Sequence, residues 1–252
     1  MAIREKQKEI ISQLRKNILH LEGFRPERED SCLRMGLGIL EDAFPYGIFP
    51  RAAVHEFLCQ EDEEAAASNA FLSVVLAMLM QSQKPCVWIS PFPMVFPPAL
   101  KSFGIHPDRL IFVRLNRDRD ILWAMEEALK CKGLAAVVAE LQELSFSQSR
   151  RLQLAVESSR VSGFVLRRDT RKINTTACVA RWRISPQPSL LLEKGLPGVG
   201  FPQWQVELLK VKNGQPGSWN IAWTPEGLLF DRQENTGFYP FEKNKEATKT
   251  GS

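Results

Sequence analysis

Four short apolar runs separated by helix-length stretches leave this chain little freedom of fold. They are residues 86–89 (Cys-Val-Trp-Ile), 110–113 (Leu-Ile-Phe-Val), 134–141 (Leu-Ala-Ala-Val-Val-Ala-Glu-Leu) and 163–166 (Gly-Phe-Val-Leu). Between them lie a short helical stretch at 97–103 closed by Gly104, a helix opened by Asp118 or Asp120 and stopped by Gly133, and a helix from Ser145 or Ser147 to Arg160. In the second of these, Ile121, Leu122, Met125, Ala128 and Leu129 share the inward face. Strands that are apolar throughout are buried on both faces, which a parallel sheet flanked by helices provides. After residue 175 the pattern changes. Residues 177–184, 204–212, 219–223 and 228–230 read as strands, with turn signals at Asn213-Gly214 and Gln215-Pro216-Gly217 and no helical stretch. The expected class is α/β, a largely parallel sheet continued by mainly antiparallel strands.

Upstream of these runs, residues 47–58 read as a turn and a strand that lead through a loop into a long apolar helix, 65–81. In nucleotide-binding folds this position carries a Gly-rich loop ending in Gly-Lys-Ser/Thr, whose backbone N–H groups and lysine hold phosphates. Here it reads Cys59-Gln60-Glu61-Asp62-Glu63-Glu64-Ala65-Ala66-Ala67-Ser68-Asn69, with no glycine, no lysine and four carboxylates in succession. Two like charges about 4 Å apart repel by roughly 1 kcal/mol in water and about 4 kcal/mol at a partly buried site. A triphosphate set against Glu61, Asp62, Glu63 and Glu64 meets several such terms with nothing to offset them. The same acids complement the positive end of a helix dipole. The degenerate phosphate loop, comprising Glu61, Asp62, Glu63, Glu64, Ser68 and Asn69, is therefore read as a solvated, acidic helix entrance. A metal ion bridging the acids to a nucleotide is the rival reading.

The chain has 252 residues, 44% of them hydrophobic, enough for one large domain with terminal additions. Residues 1–30 are expected to form an amphipathic helix, with Ile10, Leu14, Ile18 and Leu21 on one face, followed by a linker containing Pro26. Residues 31–242 form the main domain, and 243–252 read as a disordered tail. Five cysteines are scattered without a CxxC pair or a histidine at ligand spacing, which points to reduced thiols and away from zinc. The N-terminus is charged rather than signal-like, and the apolar run 70–80 is too short to span a bilayer. A cytoplasmic protein without membrane association, metal or cofactor is expected. His20, His55 and His106 lie far apart, and Ser31, Ser90 and Ser149 lack a nucleophile-elbow context, so no covalent hydrolytic route is indicated. Trp182, Trp204, Trp219 and Trp223 fall on the late strands and read as core or sheet-face residues.

The order of these elements, with Gly-x-x-Pro-Arg-x-x-x-His-Glu-Phe at Gly47 to Phe57, resembles the core of the RecA recombinases. Further stretches bring the chain nearer the ImuA family, RecA-related accessory proteins of bacterial damage-induced mutagenesis. They are Trp123-Ala-Met-Glu-Glu-Ala-Leu129, residues 134–141, Ser149-Arg-Arg-Leu-Gln-Leu-Ala155, Ala180-Arg-Trp-Arg-Ile184, and 204–219 ending in Gly214-Gln-Pro-Gly-Ser-Trp219. The resemblance covers residues 36–231 and departs at Ala52, where glycine is expected. It implies a RecA-like core and a place in an error-prone translesion complex. The implied partners are a Y-family-like protein, an error-prone replicative-type polymerase and RecA, with single-stranded DNA a further candidate on the basic residues between 150 and 172. It does not imply catalysis. A RecA-like ATPase needs a phosphate loop, an acid after the next strand to position water, and a magnesium-directed carboxylate on a later strand. The first is absent, and the strand ending at Ile89 continues Ser-Pro-Phe-Pro. Glu140 is the one carboxylate left that can face such a site, and alone it is read as structural.

Charge is concentrated between residues 150 and 183, where nine basic residues stand against Glu157 and Asp169, a local excess above the +4 of the whole chain. The resemblance sets residues 145–151 and 167–176 where RecA-like folds carry DNA-facing loops. Arg150, Arg151, Arg167, Arg168, Arg171 and Lys172 are accordingly the candidate phosphate contacts. Residues 167–172 hold no aromatic on which a base stacks, and a solvated basic face or a patch for an acidic protein partner is the alternative. The leading expectation is a non-catalytic adaptor. Its rivals are an atypical metal-dependent NTPase with an acidic pocket and a cell-division inhibitor.

Overall fold

The computed structural model describes residues 34–92, 95–168, 173–190, 200–230 and 238–240. The expected N-terminal helix and C-terminal tail lie outside them. One ten-stranded sheet organises the unit that begins at Met35. Its strands are β1 (Val54–Leu58), β2 (Cys86–Ser90), β3 (Leu110–Arg114), β4 (Ala136–Leu141), β5 (Ser162–Arg167), β6 (Ala180–Leu190), β7 (Phe201–Val211), β8 (Gly217–Thr224), β9 (Gly227–Phe230) and β10 (Phe238–Pro240), in the order β10-β9-β8-β7-β6-β1-β5-β4-β2-β3. From β3 to β6 every pairing is parallel, and from β6 to β10 every pairing is antiparallel. The expected largely parallel sheet with antiparallel continuation is the one observed, and β10 is an addition to it.

Two details differ from the sequence reading. β6 is still parallel to β1, so the reversal comes one strand later than expected. A parallel return needs a crossover of about a dozen residues, usually helical. Residues 173–179 of the crossover after β5 hold no helix, so a parallel return was not legible in them. β6 also runs past Ile184 through Pro186 and Pro188 to Leu190. Its pairing with β1 stops at Arg183, beyond which only β7 pairs with it among the described residues, and prolines are tolerated where a strand is paired on one side.

Helices α1 (Asp62–Leu79), α2 (Asp118–Leu129) and α3 (Phe146–Ser159) cover the two faces of the sheet. On one face α1 packs with Phe57, Phe71, Trp88, Trp182 and Trp204. On the other, Ile121, Met125 and Leu129 of α2 and Leu152 and Val156 of α3 meet Val54, Val137 and Val165. With its 3-10 extension, α1 is long and apolar enough to cross a membrane, but 67% of that window is buried within the fold, as befits a core helix. The expected fourth helix, Pro97–Phe103, is a 3-10 helix ended by Gly104 in the left-handed region. β3 was expected to be a buried run and instead forms the sheet edge, leaving Ile111 49% and Phe112 43% exposed.

The late tryptophans are core residues as expected: Trp182, Trp204 and Trp223 are buried. The Gly214–Trp219 stretch has a packing role. A Cβ at Gly214 would lie 2.2 Å from the Ala43 carbonyl oxygen, to which the Gln215 N–H donates at 2.8 Å. A Cβ at Gly217 would lie 2.6 Å from the Trp219 ring.

Ala52, where glycine was expected, sits at φ +51°, while its N–H donates to Ser162 Oγ at 3.2 Å. A left-handed non-glycine residue costs roughly 1–2 kcal/mol, against about 0.5–1 kcal/mol of extra chain entropy lost by glycine. Ala52→Gly is therefore expected to raise stability by up to about 1 kcal/mol. A urea titration in which the substitution lowers the midpoint contradicts that balance.

Candidate functional site

The carboxyl ends of β1, β4 and β5 converge on the start of α1. Only Cys59, Gln60 and Glu61 connect β1 to that helix, which begins three residues earlier than the sequence indicated. Three residues are too few to wrap a phosphate chain. Glu61 is the N-cap, in extended conformation, and Asp62, Glu63 and Glu64 form the first turn, where they complement the helix dipole. Glu64 Oε2 accepts the Gln60 N–H at 2.7 Å, so a carboxylate of the chain takes up an N–H at the helix start. Ser68 and Asn69 lie within the helix rather than in a loop. Ser68 is buried and accepts a hydrogen bond from the Cys59 thiol at 3.4 Å; the buried Asn69 Oδ1 has no protein partner.

Arg168, the residue after β5, closes this end of the sheet. Its Nη1 donates to Asp62 Oδ1 at 2.7 Å, its Nη2 lies 3.9 Å from Glu140 Oε2, and its backbone N–H donates to the Leu141 carbonyl at 3.0 Å. Glu140 is buried and accepts the Trp88 indole N–H at 3.4 Å. Burial pushes the Glu140 carboxyl above its usual range, while Arg168 and Trp88 draw it back. A guanidinium of the chain thus stands between the helix start and the β4 carboxylate, the position a metal and phosphates need. Burial also pushes the Cys59 thiol up to about 11, which keeps it protonated and a poor nucleophile. Among the described residues no group of three His, Cys, Asp or Glu side chains is arranged to hold a metal ion.

The four basic candidates among the described residues do not share one face. Arg167 requires a correction: it is fully buried, with Nη1 donating to Glu56 Oε1 at 2.7 Å, and cannot reach a phosphate in solvent. Arg150 and Arg151 stand on α3 rather than on a loop. The Ser145–Gln148 capping box starts that helix just after Leu144. Arg150 lies 3.8 Å from Glu157 and Arg151 2.5 Å from Glu126 of α2, so acids moderate both cations. Arg168 is committed to the cluster above. Arg171 and Lys172 lie outside the described residues.

Sequence reading missed the buried network centred on Glu56. Besides Arg167, this fully buried carboxylate accepts Arg181 Nε–H at 2.8 Å and the Thr176 hydroxyl at 2.8 Å. Arg181 also donates to the Asn174 carbonyl at 2.6 Å, and Lys210 to the Thr176 carbonyl at 2.8 Å. The network fastens residues 174–176, ahead of β6, to the sheet. A signal was present: a glutamate in the apolar run 54–58 and an arginine in 177–184 are charges in strands expected to be buried, and buried charges need partners.

No family model matches the chain. Among solved structures, the RadB recombinase aligns with a TM-score of 0.48 at 13% identity, covering 72% of this chain and 92% of that one. Protein ImuA from two strains of Caulobacter vibrioides is 34% identical over 225 residues, 83% of this chain and 87% of the relative. Identity at that level, sustained over most of both proteins, shows that the chain belongs to the ImuA family, accessory proteins of bacterial damage-induced mutagenesis.

Proposed function

We propose that this protein is a non-catalytic adaptor of a cytoplasmic error-prone translesion complex. In this reading it joins a Y-family-like protein and an error-prone replicative-type polymerase to RecA, and Arg171 and Lys172 offer charge to single-stranded DNA. The observation that carries it is the Arg168 cluster. The cation and carboxylates at the head of α1 are engaged with one another, where an ATPase keeps them for magnesium and the γ-phosphate. Loss of the motor leaves the surfaces, and proteins without chemistry act through binding.

The experiment is nucleotide binding by calorimetry and ATP turnover with magnesium, on wild type and Glu140→Gln. Neither protein is expected to bind or hydrolyse ATP. Stoichiometric magnesium-dependent binding, with hydrolysis abolished by Glu140→Gln, would establish the acidic-pocket NTPase instead. Any DNA contact is expected to weaken steeply between low and physiological salt, because it rests on phosphate charge.

A further inference from the structure

We infer that the groove between α2 and α3 docks a basic amphipathic helix of a partner protein, an inference that rests on the adaptor reading. Two depressions, about 590 Å³ and about 370 Å³, run along the two helices and share Glu126 and Arg151. The ion pair between those residues forms a crossbar dividing the groove. On one side stands Trp123, 65% exposed, and on the other Leu154, 50% exposed. The buried stripe of α2, Ile121, Met125 and Leu129, already faces the sheet, so Trp123 has no core to enter. An exposed tryptophan is a residue type enriched among interface anchors, and Leu154 adds apolar surface on the other side of the crossbar for the apolar face of a helix.

The charges select the ligand. At the Trp123 end, Asp118, Asp120 and Glu143 stand against Arg119. The Asp118 carboxylate accepts the backbone N–H groups of Gln142 at 2.9 Å and Glu143 at 3.4 Å, which holds it in place at the groove mouth. At the opposite end Lys130 is offset by Glu127 at 2.6 Å and Glu126 at 3.7 Å. The groove therefore presents an acidic mouth on a protein of net charge +4. Its ligand carries apolar side chains for the two depressions and a lysine or arginine for the mouth. A second copy of this chain would bring a like acidic mouth against the first, and is disfavoured. α2, at 12 residues, is roughly 18 Å long, room for about three turns of a docked helix.

The test titrates the Y-family-like protein against the full chain as wild type, Trp123→Ala, Leu154→Glu, the double variant Asp120→Lys/Glu143→Lys, and a distant control, Phe96→Ser. The substituted apolar side chains are at least half exposed, so folding, checked by circular dichroism, is retained. Wild type and control are expected to bind alike, with at least a tenfold loss for Trp123→Ala and for Leu154→Glu and a loss in the charge-reversed variant that diminishes with salt. Equal binding by all variants overturns the inference and leaves the adaptor reading standing. No binding by wild type overturns both. A dimer of the chain alone that Trp123→Ala dissociates makes a second copy the occupant and also overturns it.

Discussion

Glu56→Ala is expected to cost about 3–5 kcal/mol, because it removes a buried carboxylate that two arginines and a threonine share. Glu56 is fully buried and is shared by Arg167, Arg181 and Thr176 at 2.7–2.8 Å. Its removal takes from the buried Arg167 guanidinium an acceptor at 2.7 Å. Arg167→Met is expected to cost less, because Glu56 keeps Arg181 and Thr176 and the methionine fills apolar volume. Against a total stability of about 5–15 kcal/mol for an ordinary domain, the alanine variant is close to unfolding at physiological temperature. Urea denaturation measures both. Equal costs, or a loss below about 1 kcal/mol for Glu56→Ala, would mean that the network contributes little beyond packing.

Acidification is expected to remove about 3 kcal/mol through His55 alone. The ring is fully buried, with Nε2 donating to the Pro50 carbonyl at 2.8 Å and Nδ1 accepting the Trp182 indole N–H at 3.4 Å. Phe49 stacks on it at 4.6 Å and Phe164 at 5.3 Å. Both nitrogens are satisfied by the neutral Nε2–H tautomer. A second proton on Nδ1 would point at another donor. Burial pushes the pKa from 6.5 down to about 4, against the pull of the Pro50 carbonyl. The unfolded chain therefore binds the proton more readily. The stability from neutral His55 is fully present above pH 6.5 and is lost progressively as pH falls to about 4. Unfolding free energies measured at intervals across that window check it, with His55→Phe as reference. A wild-type profile parallel to that of His55→Phe would remove histidine from the account.

Much of the architecture was legible in the linear pattern. Apolar runs of strand length, separated by amphipathic stretches with recognisable starts and stops, demanded a sheet covered by helices, because only burial on both faces satisfies such strands. The Ser145 cap, the Gly104 stop and the late tryptophans behaved as their chemistry required. The run of carboxylates and the missing glycine at the head of α1 were also legible, since charge and composition are local properties.

What the linear pattern left open is which side chains meet, because that depends on elements far apart in sequence. Arg167 and Arg168 are neighbours in the chain and indistinguishable as charges, yet alternation along β5 sends the first into the sheet to Glu56 and the register at its end carries the second to Asp62 and Glu140. The exposed edge at β3 likewise follows from strand order, which composition does not encode. Local chemistry determined the kind of fold and the acidic character of the α1 entrance. Tertiary structure decided which charges are buried, paired or left to partners, since desolvation and Coulomb energy depend on three-dimensional distance.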